Sequence, residues 1–154
     1  MYRQKQRLMI TATALAILPL AAACGEEQAG RQPGSGSVRV EPPVTGTKWN
    51  IATVTADGTT HKTKGDAQIA IDPKTGKLGG RLGCNHVNAT ATVGDGHITL
   101  GAPATTRMMC EASLMDTERA LLKLFDGKIT YRIDQNTLTL TSANGTSVRA
   151  SAAK

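Results

Sequence analysis

The chain has 154 residues, enough for one domain of ordinary size. Its formal charge is +6, but three of its 18 basic residues and none of its 12 acidic residues precede Cys24, which leaves a net charge of +3 for the remainder. Because that excess is mild and aromatic residues make up only 3% of the chain, we expect no nucleic-acid partner, and an aromatic sugar-binding surface is disfavoured as well.

The first 23 residues have the features of a bacterial export leader. Three basic residues stand in the first seven positions, and the apolar run over 8–20 is too short and too alanine-rich for a secure membrane span. The sequence from Ala21 to Cys24 resembles the lipobox of bacterial lipoproteins, with Ala21 where leucine is usual. We expect 1–23 to be a lipoprotein signal peptide and Cys24 to carry lipid, including palmitate. An ordinary secretory signal cleaved near Ala23 is the alternative.

Residues 24–45 are predicted to be a flexible tether, because Gly, Ser, Pro, Gln and Glu dominate them. A lipid on Cys24 and a tether together predict an extracytoplasmic protein held at a membrane. That membrane is the outer face of the plasma membrane in a Gram-positive bacterium, or the outer membrane in a Gram-negative one. The Ala-, Thr- and Gly-rich composition favours the former.

From Gly46 onwards, apolar and polar residues alternate in short runs that are typical of half-buried strands. The pattern predicts strands around residues 49–51, 69–71, 78–82, 87–93 and 98–100, and again around 129–133, 138–140 and 148. Turns are predicted at 72–76, at 94–96 and at Asn144-Gly145.

One segment has helical periodicity instead. Between Ser113 and Phe125, apolar residues at 114, 121, 122 and 125 share a face with Glu118. Ser113 is the predicted N-cap and Gly127 the predicted stop. The prediction is therefore an α+β domain: seven or eight antiparallel strands in a strongly curved sheet, with one helix inserted after the fifth strand and packed against it.

Several motifs, in order, resemble those of the META domain (HslJ-like) family. They are Gly46-Thr47-Lys48-Trp49, then Gly83-Cys84-Asn85, then Thr106-Arg107-Met108-Met109-Cys110, followed by Glu118, Leu121 and Leu124 and by the closing strands with Tyr131, Leu138, Leu140, Gly145 and Val148. The resemblance covers nearly all of 46–150 and implies a small α+β barrel-like domain, which we place at 46–152. It also implies a link to envelope stress, antibiotic tolerance, secretion or motility, with no shared enzymatic activity. Ala89 and Ala91 stand where the family usually has Gly and an aromatic residue.

The three cysteines fit an exported protein. If lipidation uses Cys24, Cys84 and Cys110 are the only possible pair, and outside the cytoplasm a disulfide is their default state. The alternative is a nucleophilic or redox thiol at Cys84 with His86 as its base. Side chains two residues apart on a strand stand side by side, so His86 would reach Cys84 only where the strand breaks.

The three histidines lie in separate segments without the local spacing of metal ligands. We expect His61, His86 and His97 to be solvated surface residues, and we expect no metal or cofactor. The alternative is that His86 and His97 meet across the predicted hairpin and bind copper or zinc weakly.

Two further groups are candidates for binding. Asn85 follows Gly83 at a strand end, where its amide is expected to bond nearby backbone and where Gly83 meets a conformational need. Met108 and Met109 stand beside Arg107 and next to Thr105 and Thr106; they are interpreted either as an adaptable partner surface, as thioether ligands of copper, or as one core side chain and one exposed one.

No set of residues forms an expected catalytic group, since Glu118 has no partner carboxylate and no credible nucleophile–base pair is evident. The leading hypothesis is a monomeric, non-enzymatic, lipid-anchored binding module with an envelope protein as its possible partner. A carrier of a small apolar ligand inside the curved sheet is the alternative, and a thiol-dependent enzyme is the third hypothesis.

Overall fold

A computed structural model of the protein describes residues 41–64 and 66–154. The predicted signal peptide, Cys24 and most of the predicted tether lie outside the described residues. The regular elements are β1 (Lys48–Ala56), β2 (Thr59–Lys62), β3 (Gln68–Ile71), β4 (Lys77–Arg81), β5 (His86–Gly94), β6 (His97–Leu100), β7 (Ala104–Thr105), α1 (Ala112–Leu122), a 3-10 turn (Lys123–Phe125), β8 (Lys128–Asp134), β9 (Thr137–Ser142) and β10 (Ser147–Ala152).

Eight antiparallel strands close into a barrel. Their order is β10-β9-β8-β6-β5-β4-β3-β1, and β1 pairs back onto β10. These eight strands are the ones that the alternating pattern predicts. Closure leaves no free strand edge among these eight strands, so none of them offers unpaired backbone groups to another chain.

Two short strands have no counterpart in the sequence pattern. β2 pairs with the second half of β1, and β7 pairs with the start of β5. The residues of β2 are Thr-Thr-His-Lys, which lack an apolar alternation, and β7 has two residues. Both strands therefore form because they pair with a neighbouring strand, and their own residues do not predict a strand.

The described part of the chain is mostly β, with one helix of 11 residues. The expected strongly curved, barrel-like antiparallel sheet with one inserted helix is found, and only the α+β class is refined: the domain is a mostly-β antiparallel barrel that carries one short helix. The predicted position of the helix, after the fifth strand of the barrel, is confirmed. The helix is too short to form a layer of its own, so the barrel encloses most of the core.

The barrel interior is filled by apolar side chains, with Trp49 at its centre. Trp49 is 1% exposed and its Nε1 donates a hydrogen bond to the carbonyl oxygen of Val44 at 3.1 Å. Val44 is itself buried, although the sequence pattern placed it in the tether. The folded domain therefore begins before Gly46, because the chain must enter the barrel to meet the indole.

The start of α1 differs from its prediction. Glu111 is the N-cap residue and its side chain makes no capping bond, whereas Ser113 lies inside the first turn. The stop is as expected: the 3-10 turn ends at Phe125, and Gly127 follows with a φ of +83°. No helix of the described residues is both long and apolar enough to cross a membrane.

The predicted turn between β3 and β4 is held by one carboxylate. Oδ1 of Asp72 accepts hydrogen bonds from the backbone N–H groups of Lys74 and Thr75, at 2.9 and 2.7 Å, and from the Thr75 hydroxyl at 2.9 Å. The N–H and hydroxyl of Thr75 and the N–H of Lys74 hold the pKa of Asp72 below its ordinary value, because they favour the charged form.

Candidate functional site

Three stretches that are distant in sequence meet around the side chain of Asn85. They are the β4–β5 connection, the segment 106–110 that follows β7, and helix α1. Asn85 is 1% exposed and is among the most deeply buried side chains of the described residues. We call Asn85, Thr106, the Met108 backbone and Glu118 the Asn85 cluster.

The β4–β5 connection places Asn85 by a tight turn. The backbone N–H of Leu82 donates to the carbonyl oxygen of Asn85 at 2.8 Å, and Gly83 between them has a φ of +107°. A side chain at position 83 would strain this backbone, which is the conformational need expected from the sequence. The turn thus explains why the motif begins with glycine.

The carboxamide of Asn85 uses its full hydrogen-bonding capacity. Its Oδ1 accepts from the backbone N–H of Met108 at 2.6 Å and from the Thr106 hydroxyl at 2.9 Å. Its Nδ2 donates to Oε1 of Glu118 at 2.8 Å and to the carbonyl oxygen of Met108 at 3.3 Å. An amide is the one side chain that offers two acceptor and two donor directions in this shape. The structural role expected of Asn85 is found, but the backbone that its side chain bonds, at Met108, is 23 positions away and not nearby in the chain.

Glu118 supports Asn85 from the helix. Its Oε1 accepts from Nδ2 of Asn85 and its Oε2 accepts from the backbone N–H of Asn85 at 2.9 Å, so both oxygens bind one residue. Glu118 is buried, and no basic side chain of the described residues pairs with it. Glu118 therefore caps a backbone N–H group of the β4–β5 connection. The two residues are 33 positions apart, and only the acid within an apolar helical stripe hints that Glu118 faces inwards.

Thr106 fastens segment 106–110 to the start of β5. Its backbone N–H donates to the carbonyl oxygen of His86 at 3.1 Å, and its hydroxyl accepts from the backbone N–H of His86 at 3.0 Å. The same hydroxyl donates to Asn85. Thr106 thereby connects the start of β5 to the side chain of Asn85.

A disulfide joins the same two stretches covalently. Cys84 and Cys110 are bonded, their Cα atoms are 6.2 Å apart, and they are 26 positions apart in the chain. Cys84 is buried, whereas the side chain of His86 is exposed. The disulfide predicted from the cysteine count is present, and Cys84 has no free thiol for His86 to activate.

These anchors hold a segment whose three central side chains, 107–109, are exposed to solvent. Met108 is 56% exposed and Met109 is 93% exposed, although both backbone polar groups of Met108 bind Asn85. They are the only large apolar side chains that are exposed among the described residues. Arg107 beside them is exposed too.

The motif residues of the sequence thus divide into two groups. The structure brings together Gly83, Cys84, Asn85, Thr106, Met108 and Cys110. Trp49 is not part of this group, because it fills the barrel interior. The proposed lipid attachment site, Cys24, lies outside the described residues.

The histidine pair considered from the sequence does not form. His86 begins β5 opposite Arg81, whereas His97 begins β6 opposite Gly94. The nine residues of β5 span eight steps from end to end, which corresponds to about 27 Å. Within 41–64 and 66–154, no three His, Cys, Asp or Glu side chains are arranged to hold a metal ion.

The barrel interior leaves almost no free space. The void beside Trp49, Ile98 and Phe125 has a volume of about 10 Å³, no more than one water molecule needs. A larger external cleft, about 320 Å³, lies between the β1–β2 hairpin and α1. Its charged side chains neutralise one another, since Lys123 pairs with Asp57 and Arg119 pairs with Asp116.

Comparison with known proteins gives a family and a fold. The sequence model of the META domain matches residues 42–154. A protein from Burkholderia xenovorans, solved by NMR, superposes with a TM-score of 0.59 at 20% identity, over 81% of this chain and 99% of that one. A second NMR structure superposes with a TM-score of 0.53 at 20% identity, over 68% of this chain and 87% of the other. No curated protein sequence matches the chain significantly.

Proposed function

This chain belongs to the META domain family, and from that premise we propose that it is a non-enzymatic binding module of the cell envelope. A lipid on Cys24 holds it at the outer face of a membrane. Segment 106–110 presents Met108 and Met109 to a protein partner. The single observation that carries the proposal is this: the exposed large apolar side chains of the described residues, Met108 and Met109, lie on a loop that hydrogen bonds to buried Asn85 and a disulfide hold in place.

The anchoring supports a binding role because it lowers the entropic cost of association. A loose loop must lose conformational freedom when it docks, and that loss weakens binding. Here the backbone of Met108 is bonded on both sides to Asn85, and Cys110 is fixed to Cys84. The loop is therefore already ordered, while the unbranched thioether side chains can still adapt to the partner.

Two features favour a surface role over the other hypotheses. The barrel interior, with a void of about 10 Å³, has no room for a small apolar ligand. Glu118 commits both oxygens to Asn85, and Cys84 is in a disulfide, so neither group is available for acid–base or thiol chemistry. A monomeric module that acts through its surface fits these features.

The test of the binding surface is site-specific photocrosslinking in intact cells. A photoreactive phenylalanine analogue replaces Met109 in one variant and Thr92, which is exposed on β5, in the control variant. We expect position 109 to capture one defined envelope protein and position 92 to capture none. The captured protein is then purified, and its affinity for the unlabelled chain is measured.

The affinity measurement decides the role of the methionines. We expect Met109→Ser to weaken binding on the order of tenfold, because a buried apolar anchor at an interface is worth more than about 1 kcal/mol. Met115→Ser, which changes a half-buried methionine of α1, serves as the matched control. Equal affinities for the wild type and Met109→Ser would exclude this surface.

The anchor is tested separately. Mass spectrometry of the chain extracted from membranes is expected to show diacylglyceryl and acyl groups on Cys24, and Cys24→Ser is expected to move the chain to the soluble fraction. An unmodified Cys24 in a soluble exported chain would show the ordinary secretory leader, and would leave the binding surface to be judged by the crosslinking.

A further inference from the structure

The outer face of the barrel carries a line of cations that the binding surface does not use. Strand register places Arg132 on β8 opposite Thr139 on β9, and Thr139 opposite Arg149 on β10. Arg149 is opposite Thr53 on β1, and Thr53 is opposite Lys62 on β2. We call these five residues the cationic row.

All five side chains lie on the same face, because directly opposed residues of an antiparallel pair point the same way. The intervening residues Leu138, Leu140 and Val148 are buried, which places the row outside. Adjacent strands are about 4.8 Å apart, so successive cations of the row stand roughly 10 Å apart with a threonine between them.

The cations of the row are not used by the fold. Lys62, Arg132 and Arg149 are exposed, and none makes an ion pair or a side-chain hydrogen bond with a residue that the structure describes. The cleft beside α1 is different, since Lys123 and Arg119 there are each paired with an aspartate. Uncompensated like charges at regular spacing repel one another slightly, and an external anion would relieve that repulsion.

The residues around the cationic row also favour a negatively charged ligand. Lys48 and Lys128 lie at exposed positions on β1 and β8, and Asp134 is the only acidic residue in the five strands. Hydroxyl side chains occupy most of the remaining outer positions. They donate hydrogen bonds to anionic oxygens without adding charge.

We propose that the cationic row binds a linear polyanion with repeated phosphate groups in the cell envelope. Arginine suits phosphate because its planar guanidinium donates two parallel hydrogen bonds to it. The outer positions of the five strands carry no aromatic side chain, so nucleic-acid bases would have nothing to stack on. The proposal rests on the proposed location in the cell envelope, but it does not depend on a partner for Met108 and Met109.

The path of the row favours a thread-like ligand over a bilayer. The row crosses β8, β9, β10 and β1, four of the eight barrel strands, before it reaches β2. It therefore runs round a convex surface through about half a circumference. A plane touches such a surface along a narrow strip and meets only part of the row, whereas a flexible polymer can follow all of it.

The test uses the full-length chain, purified in detergent, with long-chain inorganic polyphosphate as the probe. We expect binding at low ionic strength, and a dissociation constant that rises with roughly the second power of salt concentration, as three phosphate contacts predict for a single-stranded polyanion. Absence of binding at low ionic strength would refute the proposal.

Two matched double variants separate the row from overall charge. Arg132→Gln/Arg149→Gln removes two charges from the row, and Lys74→Gln/Lys77→Gln removes two from the β3–β4 hairpin, where β4 lies opposite β9 in the barrel order. We expect the first pair to weaken polyphosphate binding on the order of tenfold and the second to leave it nearly unchanged, because charge-assisted contacts act at short range. Equal weakening would mean that only net charge matters, and would refute a site.

Thr139→Glu gives a variant that removes binding without harming the fold. A carboxylate between the two arginines would pair with them across the strands, so the melting temperature should stay the same or rise while polyphosphate binding is lost. Retained binding in this variant would refute the row as the site.

Three further experiments identify the kind of phosphate ligand and distinguish the cationic row from the surface of Met108 and Met109. Vesicles of equimolar phosphatidylcholine and phosphatidylglycerol, or a single-stranded oligonucleotide, would overturn the proposal if either bound more tightly than polyphosphate through the same arginines. Met109→Ser should bind polyphosphate as the wild type does. A loss there would show that the methionine segment, and not the row, holds the anion.

Discussion

The barrel interior and the Asn85 cluster are both buried, but different chemistry holds them together. Apolar side chains, Trp49 among them, fill the interior. The Trp49 side chain makes one hydrogen bond there, to the carbonyl oxygen of Val44. The Asn85 cluster is a set of directed hydrogen bonds, and the Cys84–Cys110 disulfide lies beside it. Apolar packing is roughly proportional to buried area and has no preferred direction, whereas a buried polar group must find each partner in the correct geometry.

The comparison shows that the two regions have different roles: one stabilises the domain and the other fixes the shape of one segment. The interior provides the free energy that closes the barrel, because burial of apolar area is the main favourable term in folding. The Asn85 cluster fixes the shape of segment 106–110, a stretch without helix or strand that has little apolar burial of its own. A change in the interior should therefore weaken the whole domain, and a change in the cluster should first release the segment.

The largest expected effect comes from the interior. Trp49→Ala should lower the free energy of unfolding by about 3–5 kcal/mol, because it removes the largest side chain of the core and leaves a cavity. Denaturant unfolding followed by circular dichroism measures the loss. Lys48→Ala, its exposed neighbour, should change stability by less than about 0.5 kcal/mol. A mild effect of Trp49→Ala would break the comparison by showing that the interior is not the source of stability.

Removal of the disulfide is the next largest change. Cys84→Ser/Cys110→Ser should cost about 3.5 kcal/mol, the loop-entropy value for residues 26 positions apart. That entropy belongs to the unfolded chain, so the folded segment should remain ordered by its hydrogen bonds. Unfolding curves with and without reductant measure the loss, and hydrogen exchange of segment 106–110 measures the order. Rapid exchange in a still-folded variant would show that the bridge, and not Asn85, holds the segment.

Asn85→Ala should cost about 3 kcal/mol, because it removes the carboxamide partner of Oε1 of the buried Glu118 and of the half-buried backbone groups of Met108. Hydrogen exchange should accelerate in segment 106–110 before the barrel strands respond. Asn88→Ala, at an exposed position of β5, is the matched control and should leave both readouts unchanged. A uniform rise in exchange over the whole domain would erase the distinction between the two regions.

The smallest effect tests a directed contact that is fully exposed. The hydrogen bonds from Thr75 and Lys74 lower the pKa of Asp72 in the folded state, so its charged form stabilises the turn above the ordinary carboxyl pKa. This contribution is lost as the pH falls through the lowered pKa. The melting temperature of the wild type should therefore slightly exceed that of Asp72→Asn at neutral pH, and the difference should shrink below about pH 4. A difference that does not change with pH would mean that the carboxylate charge has no role.

Local pattern predicts most of the barrel. The eight barrel strands follow from alternation of apolar residues, and the turn at 72–76 follows from its proline and glycine. The start of α1 did not follow, because Ser113 has the preferred N-cap chemistry but Glu111 occupies the cap. Backbone bonds from Leu114 and Met115 to the Glu111 carbonyl set that boundary.

The sequence predicts which residues belong to the candidate site, but it does not predict which of them are in contact. Asn85, Thr106 and Cys110 are recognisable from their motifs, and the disulfide follows from counting cysteines. Nothing local indicates that Asn85 binds both the helix and segment 106–110, since its partners are 23 and 33 positions away. The exposure of Met109 was one of several interpretations of its sequence.

The sequence by itself determined where the eight barrel strands lie along the chain, the place of the helix and the cysteine pair, because short-range alternation, helical periodicity and composition carry that information. Only the tertiary structure decided that the sheet closes, that Glu118 faces Asn85, and that Arg132, Arg149 and Lys62 fall in one line. Closure and the full row depend on the pairing of β1 with β10, at opposite ends of the domain, and Glu118 is 33 positions from Asn85. Within a hairpin such as β8–β9 the turn fixes the register, but contacts between distant stretches form only when the core packs, so no local stretch of residues encodes them.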